Sequence, residues 1–553
     1  MLYKKGVEIL DIQVNQVGYP SSQKKVAIIN EFQGAFEIVD DENGSVVYCG
    51  ETGELTLDNA SGSSVSHADF SLLKRPGQYR VRANEFVSAS FLVTEQPYDE
   101  LQQSLLKAFY FYRCGSDLPE KYAGSWSHKA CHTIPAIVYT DQNRIIDCSG
   151  GWHDAGDYGK YVVPAAKAVA DLLLAYEFYP HAFSRALPIP ETDNCIPDIL
   201  HECRYELTWL LKMQDPLTGG VFHKVTTKEF PSLDVMPEND LGDLYLSPIS
   251  ATATGCFVAV MSIAARIYKN IDKVLSEQCL FAAKRGWDWL QIHKEVSGYK
   301  NPDDILTGEY GDDEDQDERY WAAAELYRTT GHDRYQQAFL LLVEADFPKY
   351  ELGWANVGGY GTIAYLLNGE EKGNSKVYSE LLEGLRIQAD KLVEKSTDNG
   401  YLISLSETEY IWGSNMVVLN HGMLLLIAHF FHNNERYAEC ALNHLHYLLG
   451  RNVLNVSYVT GHGTNQVLHP HHRPSVGDGV IEPVAGLVLG GPNRGLEDDC
   501  AKTNLAGRSP ACCYIDHVDS YSTNEVTIYW NSPAVFVVSY WTNLSYNELE
   551  RNN

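Results

Sequence analysis

Two aspartates three residues apart, Asp154 and Asp157, lie in the string GGWHDAGDYGKY at residues 150–161. Glycine opens backbone turns closed to other residues and lets a ligand approach the main chain. Carboxylates placed this close repel, so a chain keeps them with compensation or for a use. A single Asp-Gly step reads as a surface turn. Four glycines mixed with two aspartates, a tryptophan, a histidine and two tyrosines read better as a site. A third carboxylate, Glu525, lies far along the chain in DSYSTNEVTIYWNSP. There it opens the last helical pattern, with Asn524 beside it and Ser522 and Thr523 as possible caps. Alone, Glu525 reads as a helix-start acid stabilised by the helix dipole. Between the two, His469, His471, His472 and Arg473 crowd HPHHR. Adjacent histidines point in different directions and lack the spacing of a helical metal-ligand pair. Arg beside His suits directed hydrogen bonds to hydroxyls or a carboxylate, or forms a solvated basic loop.

Two further clusters raise metals. Cys114, Cys131, His132 and His153 follow C-x16-C-H-x20-H. Thiolate and imidazole suit tetrahedral zinc, although these gaps are not those of a zinc finger. The alternative is two buried cysteines and two unrelated histidines. The run GEYGDDEDQDERYW carries Asp312, Asp313, Glu314, Asp315, Asp317 and Glu318. Its oxygens suit calcium, but it lacks the twelve-residue calcium-loop pattern. The alternative is a solvated acidic helix start.

These groups need a scaffold. Residues 1–96 alternate apolar and polar in short runs such as KVAIIN, AFEIVD and QYRVRA, punctuated by DENGS and KRPGQ. That pattern predicts a small all-β sandwich. From residue 97 to 553 the period becomes helical, with twelve candidate helices and no fixed solenoid repeat. Long irregular stretches at 114–163, 215–247 and 451–523 separate them, and the opening motif lies in the first. Loops of that length inside a compact domain are usually functional. A net charge of −30 argues against a nucleic-acid partner, because phosphate binding needs basic stripes. No stretch of about 18 apolar residues suggests a membrane span. The first twenty residues carry no apolar export segment, and the chain has twelve cysteines. Together these predict reduced thiols and a cytoplasmic location.

Several long strings, in order, resemble glycoside hydrolase family 9: VNQVGYP, RCGSDLPEKYAG, SGGWHDAGDYGKYVVP, YIWGSNMVVLN, HPHHRPS, GLVLGGPN and DSYSTNEVTIYWNSP. The resemblance spans essentially the whole chain. It implies an immunoglobulin-like domain followed by an (α/α)6 barrel, and hydrolysis of a β-glycoside with inversion. It makes Asp157 the general base, with Asp154 sharing the nucleophilic water, and Glu525 the general acid. It places His471, Arg473 and Tyr521 at the cleaved sugar and makes Trp412 a candidate stacking platform. Some members hold structural zinc through the same Cys, Cys-His and His arrangement, and family barrels often bind calcium. The expected partner is a small oligosaccharide, with no nucleic acid and no membrane; oligomeric state stays open. Without a visible polymer-binding module, we expect exo-cleavage of β-1,4 oligosaccharides from the non-reducing end, with glucosamine first and glucose second. Asp147, Asp240 and Asp243 are candidates to select an ammonium sugar. The alternatives are an endo-β-1,4-glucanase, a sugar-binding protein with a dead site, and a metal-dependent hydrolase built on the histidines.

Overall fold

The computed structural model describes residues 11–193, 195–294 and 298–552. The first ten residues of the 1–96 span, and residue 553 of the helical span, lie outside the described residues. Ten short strands run from β1 (Ile12–Gln13) to β10 (Phe91–Thr94). One sheet has the order β1-β3-β7-β6, with β3 at Val26–Asn30, β6 at Thr56–Asp58 and β7 at Ser63–Asp69. The other has β2-β10-β8-β4-β5, with β9 (Phe86–Val87) beside β8. Its remaining strands are β2 (Gly18–Pro20), β4 (Ala35–Asp40), β5 (Val46–Glu51) and β8 (Gly77–Ala83). Alternation decides the faces: in β4, Phe36 and Ile38 are buried between more exposed neighbours. Tyr19, Phe70 and Phe91 meet edge to face in the shared core.

The sandwich is fastened to the helical part by polar contacts. Asn15 Nδ2 donates to Tyr98 Oη at 3.2 Å and meets His446 Nδ1 at 2.9 Å. The Gln16 N–H bonds the Leu449 carbonyl at 2.9 Å, and the Ala511 N–H bonds the Ala60 carbonyl at 3.0 Å.

Twelve helices of ten residues or more follow among the described residues. They are α1 (Asp99–Phe111), α2 (Val162–Phe178), α3 (Asp198–Met213), α4 (Ala251–Ile267), α5 (Lys273–Ile292) and α6 (Gln316–Thr330). Then come α7 (Asp333–Leu342), α8 (Gly358–Asn368), α9 (Ser375–Thr397), α10 (Ser414–His432), α11 (Glu435–Leu448) and α12 (Ile528–Asn552). The even-numbered helices form the inner ring. α2 packs on α4, α4 on α6, α6 on α8, α10 on α12 and α12 on α2, while the odd-numbered helices cover them from outside. This is the (α/α)6 barrel. The inner helices α2, α4, α8 and α10 are apolar nearly all round, as suits an enclosed helix; every residue of α2 from Val162 to Ala175 is buried. Two inner segments, Ala251–Asn270 and Ser414–His432, are long and apolar enough to cross a membrane, against the expectation that none would be. In the barrel 89 % and 72 % of these windows is buried, so their apolar surface is spent on helix packing.

A buried ion pair ties three inner helices. Asp171 on α2 accepts from Lys167 Nζ at 2.7 Å, from Tyr360 Oη of α8 at 2.6 Å and from Ser532 Oγ of α12 at 2.7 Å. Both charges are fully enclosed.

Two of the three long stretches expected to be irregular carry a third sheet. Strands β11 (Ala136–Val138), β12 (Asp141–Ile146) and β13 (Lys160–Tyr161) come from the first. After β14 (Val221–Phe222), which pairs outside this sheet with residues 249–250, β15 (Lys224–Thr226) and β16 (Tyr245–Leu246) come from the second. Their order, β12-β11-β16-β15-β13, stitches the two loops together over the barrel. Apart from β12, each strand has only two or three residues, too few for a period to show in the sequence.

Replacing Asp171 by Asn leaves the Lys167 ammonium without its counter-charge in the barrel interior. Breaking a buried pair on one side costs about 3–5 kcal/mol. We expect Asp171→Asn to lose that much stability in urea unfolding followed by tryptophan fluorescence. A loss below about 1 kcal/mol, the range of an exposed pair, would show that the node does not hold the ring.

Candidate active site

The loop of residues 150–161 is set against α3 before it reaches the cleft. Gly150 and Gly151 have φ of +93° and +78°. A Cβ on Gly151 would lie 2.6 Å from the Trp209 ring, so only glycine fits this approach. The Trp152 N–H donates to Glu206 Oε2 at 2.5 Å, and its indole N–H reaches Glu202. Arg113, buried, joins Glu202 and Glu191 in a salt-bridge cluster at the same place. Lys160 Nζ donates to the Cys148 and Gly150 carbonyls at 2.6 and 2.7 Å.

Past this anchor the two aspartates diverge. Asp154 is buried; Oδ2 accepts from Tyr310 Oη, while Oδ1 has no hydrogen-bond partner in the protein. Burial first, then the Asp157 charge, pushes the Asp154 carboxyl well above the usual aspartate range, against the Tyr310 hydrogen bond. Asp157 Oδ2 accepts from the Gly159 N–H at 2.9 Å and from Tyr161 Oη at 3.2 Å. These bonds orient one oxygen and leave the other free for a ligand.

Glu525 arrives differently from the sequence expectation. It does not open a helix: Tyr521–Asn524 is a short helical turn, α12 begins at Ile528, and Glu525 between them is extended, with φ −75° and ψ 165°. Nor do Ser522 and Thr523 cap it; Ser522 Oγ donates to Asp498 Oδ2 at 2.5 Å. The reason is pairing. Residues 525–527 make isolated bridges to His471, Leu489 and Ala155 in turn. The Ile528 N–H bonds the Asp154 carbonyl at 2.8 Å, and the Gly490 N–H bonds the Glu525 carbonyl at 3.0 Å. Backbone pairing thus brings Glu525 to the aspartates. Burial, then the Asp157 and Asp154 carboxylates, push its acid well above the ordinary glutamate range, with Arg473 and a Trp412 hydrogen bond opposing.

His471 shares its Nδ1 hydrogen with the Val518 carbonyl at 2.5 Å, which leaves Nε2 for a ligand. Arg473 is spent on the main chain: Nη1 donates to the Gly156 carbonyl at 2.9 Å and Nε to the Pro231 carbonyl at 3.1 Å. Its guanidinium also lies over the Phe230 ring. Tyr521 and Trp412 form an aromatic rim, ring centres 5.2 Å apart, with 36 % and 40 % of their surface exposed. His471 stands edge-on to Tyr521 at 5.9 Å. The three histidines do not converge: His469 is exposed, and His472 is buried with Nδ1 on Ser475 Oγ at 2.8 Å. Two members of the site escaped sequence reading, Tyr310 and Tyr529; Tyr310 packs on Tyr161 at 4.9 Å and on Tyr529 at 5.9 Å. Tyr310 sits between glycines at φ +46°, and GEYGDD was the only hint.

Cys114, Cys131, His132 and His153 meet, all buried, with one ligand atom of each within 4.8 Å of the others. His132 Nε2 is taken by Asp240 Oδ2 at 3.1 Å, and the buried Nδ1 makes no conventional hydrogen bond. That leaves Nδ1 as the ligand atom and Asp240 as the carboxylate that orients the ring. Two thiols and two imidazoles fit tetrahedral zinc. The acidic run behaves otherwise. Asp315 pairs with Arg319, and Asp317 accepts the Val357 N–H at 2.7 Å. Asp317 and Glu318 are buried rather than solvated, because α6 belongs to the inner ring. Among the described residues this run forms no ligand cluster like that of the thiols. Asp147 is engaged with Lys212 and Ser149, and Asp243 is exposed.

A Cβ on Gly156 would fall 2.1 Å from the His471 carbonyl oxygen. We expect Gly156→Ala to separate the aspartate loop from the His471 segment and cut kcat/KM on an aryl β-glycoside about 10²-fold, with helix content unchanged. Wild-type turnover would show that this contact does not set the site.

Comparison with known proteins agrees with the geometry. Residues 98–538 match the glycosyl hydrolase family 9 model, and residues 10–88 match the cellulase N-terminal ig-like domain. A cellodextrinase of Butyrivibrio fibrisolvens is 38 % identical, over 96 % of this chain and 99 % of its own length. Endoglucanase D of Acetivibrio thermocellus is 35 % identical, over 96 % of this chain and 83 % of its own. The crystal structure of a thermostable endoglucanase mutant from Alicyclobacillus acidocaldarius superposes with a TM-score of 0.92 at 43 % identity, covering 96 % of this chain and 99 % of that one. A stapled set of three carboxylates on an (α/α)6 barrel, matched over nearly its whole length, makes this chain a glycoside hydrolase of family 9.

Proposed function

We propose that the enzyme hydrolyses soluble β-1,4-linked gluco-oligosaccharides with inversion. The observation that carries this is the stapled trio: Asp154 and Asp157 on one loop, with Glu525 joined to that loop and to the His471 segment by backbone pairing. Glu525 gives its proton to the glycosidic oxygen as the bond from C1 to that oxygen breaks. Water attacks C1 from the opposite face, and its proton passes to Asp157, while Asp154 shares the water through its unbonded Oδ1. Inverting enzymes hold acid and base roughly 6.5–9.5 Å apart to admit that water. Trp412 and Tyr521 offer ring faces to the sugars.

The name of the Butyrivibrio relative supports cellodextrins as substrate. Glucosamine is the weaker choice, since Asp147 and Asp240 serve Lys212 and His132 rather than a sugar amine. Thr226, Phe230 and Pro231 stand beside Asp157 around a cavity of about 10 Å³. Release of single units from a chain end is the mode we propose for these short substrates. We further propose that Cys114, Cys131, His132 and His153 hold a structural zinc, which would brace the loop that carries Asp154 through its neighbour His153.

Glu525→Gln and Asp157→Asn should each lower activity by about 10² to 10⁴-fold with the fold intact, and the first product seen by proton NMR should be the α-anomer. Near-wild-type rates or an initial β-anomer would overturn the assignment. Because the folded environment raises the Glu525 pKa, the acid stays protonated past the usual glutamate range. The basic limb of kcat/KM should therefore lie above it. Cellotriose should be cleaved faster than a glucosamine trimer, with monomer released steadily. The reverse order would restore the glucosaminidase reading, and early mixed fragments from a long soluble glucan would make the enzyme an endoglucanase.

Elemental analysis should find one zinc per chain. Cys131→Ser should lower the melting temperature, and brief chelation should spare activity. Metal-free protein of unchanged stability would rule the zinc out.

A further inference from the structure

Lys224 on β15 is completely buried and forms no salt bridge among the described residues. An ammonium removed from water without a carboxylate partner is costly, so its retention asks for a reason. Its Nζ donates to Thr307 Oγ1 at 3.0 Å and to the Gly308 carbonyl at 2.5 Å, and lies 5.4 Å from the centre of the Tyr161 ring. Tyr161 is the register partner of Lys224 across β13 and β15, and its hydroxyl donates to Asp157. The clamped turn at residues 307–308 leads directly into Tyr310, whose hydroxyl donates to Asp154. The Tyr161 and Tyr310 rings are themselves in contact. One cation therefore touches the support of Asp157 directly and holds the turn that carries the support of Asp154.

We propose that Lys224 is a positioning residue: its ammonium locks the 307–308 turn to the Tyr161 ring, so that both tyrosine hydroxyls stay aimed at the aspartate pair and positive charge stays behind Asp157. This rests on the assignment of Asp157 as the base. The groups facing Lys224 are Asp157, Glu309 and His223; those facing Asp157 are Asp154, Glu525, Tyr161 and His471. Burial pulls the Lys224 ammonium down to about 7, while the Asp157 and Glu309 charges hold it up. A cation near the base favours the deprotonated carboxylate, so its removal makes the base easier to protonate.

The test uses Lys224→Met, Lys224→Gln and Lys224→Arg in the full chain, assayed on a cello-oligosaccharide across pH. Gln keeps a hydrogen-bond donor without charge, and it carries the test if the Met variant fails to fold. We expect both neutral variants to lower kcat about tenfold or more with KM little changed, and to move the acid limb of kcat/KM upward by about one pH unit. Arg should return the limb towards its original position. A role in stability alone would lower the melting temperature and leave the limb in place. An unmoved limb in Lys224→Gln, beside an inactive Asp157→Asn, overturns this inference and spares the acid–base assignment. An active Asp157→Asn overturns the assignment itself.

Discussion

Three residues of extended chain, Glu525 to Thr527, hold the site together. They bridge to three other segments in succession, at His471, Leu489 and Ala155. Buried backbone groups must find partners, and here each finds one on a different loop. The His471 N–H completes the set on the Asn524 carbonyl at 2.8 Å. Because these are main-chain bonds, the relative position of acid and base is set by backbone geometry rather than by long flexible side chains. The glycines make the closeness possible: Gly156 lets the aspartate loop lie against His471, and Gly151 lets it lie on Trp209.

Three carboxylates in one enclosed site raise an electrostatic problem, and the chain answers it without ion-pairing them. Tyrosine hydroxyls and a backbone N–H approach the aspartates, and an indole approaches Glu525. Neutral donors orient a carboxylate while leaving it able to exchange a proton; a direct Arg or Lys partner would hold it ionised. The nearby cations are turned elsewhere. Arg473 serves the Gly156 and Pro231 carbonyls, and Lys224 serves the 307–308 turn.

The large elements were legible because each carries its own period. Apolar stripes mark the twelve long helices, and alternation in AFEIVD and QYRVRA marks the sandwich. The aspartate pair and the Cys-His set stood out because several unusual residues share one loop. What stayed hidden depends on contacts distant in sequence. Strands of two or three residues, such as Lys160–Tyr161, have no readable alternation, so the sheet joining the two loops was invisible. Tyr310 reads as any loop tyrosine until it meets Asp154. Glu525 looks like a helix-start acid because the helical pattern does resume three residues later, and only pairing with His471 and Leu489 keeps it extended.

The stapled segment also has a meaning in time. Its partners lie in the lead-in to α2, in the HPHHR stretch and in the GLVLGG stretch, and the segment itself precedes the last inner helix. Helices form early and locally, whereas contacts between distant parts of the chain must wait for slow loop closure. A growing or refolding chain can thus hold most of its barrel while acid and base are still strangers. Acid and base therefore meet only where the last inner helix is in place and the segment before it is paired with all three stretches.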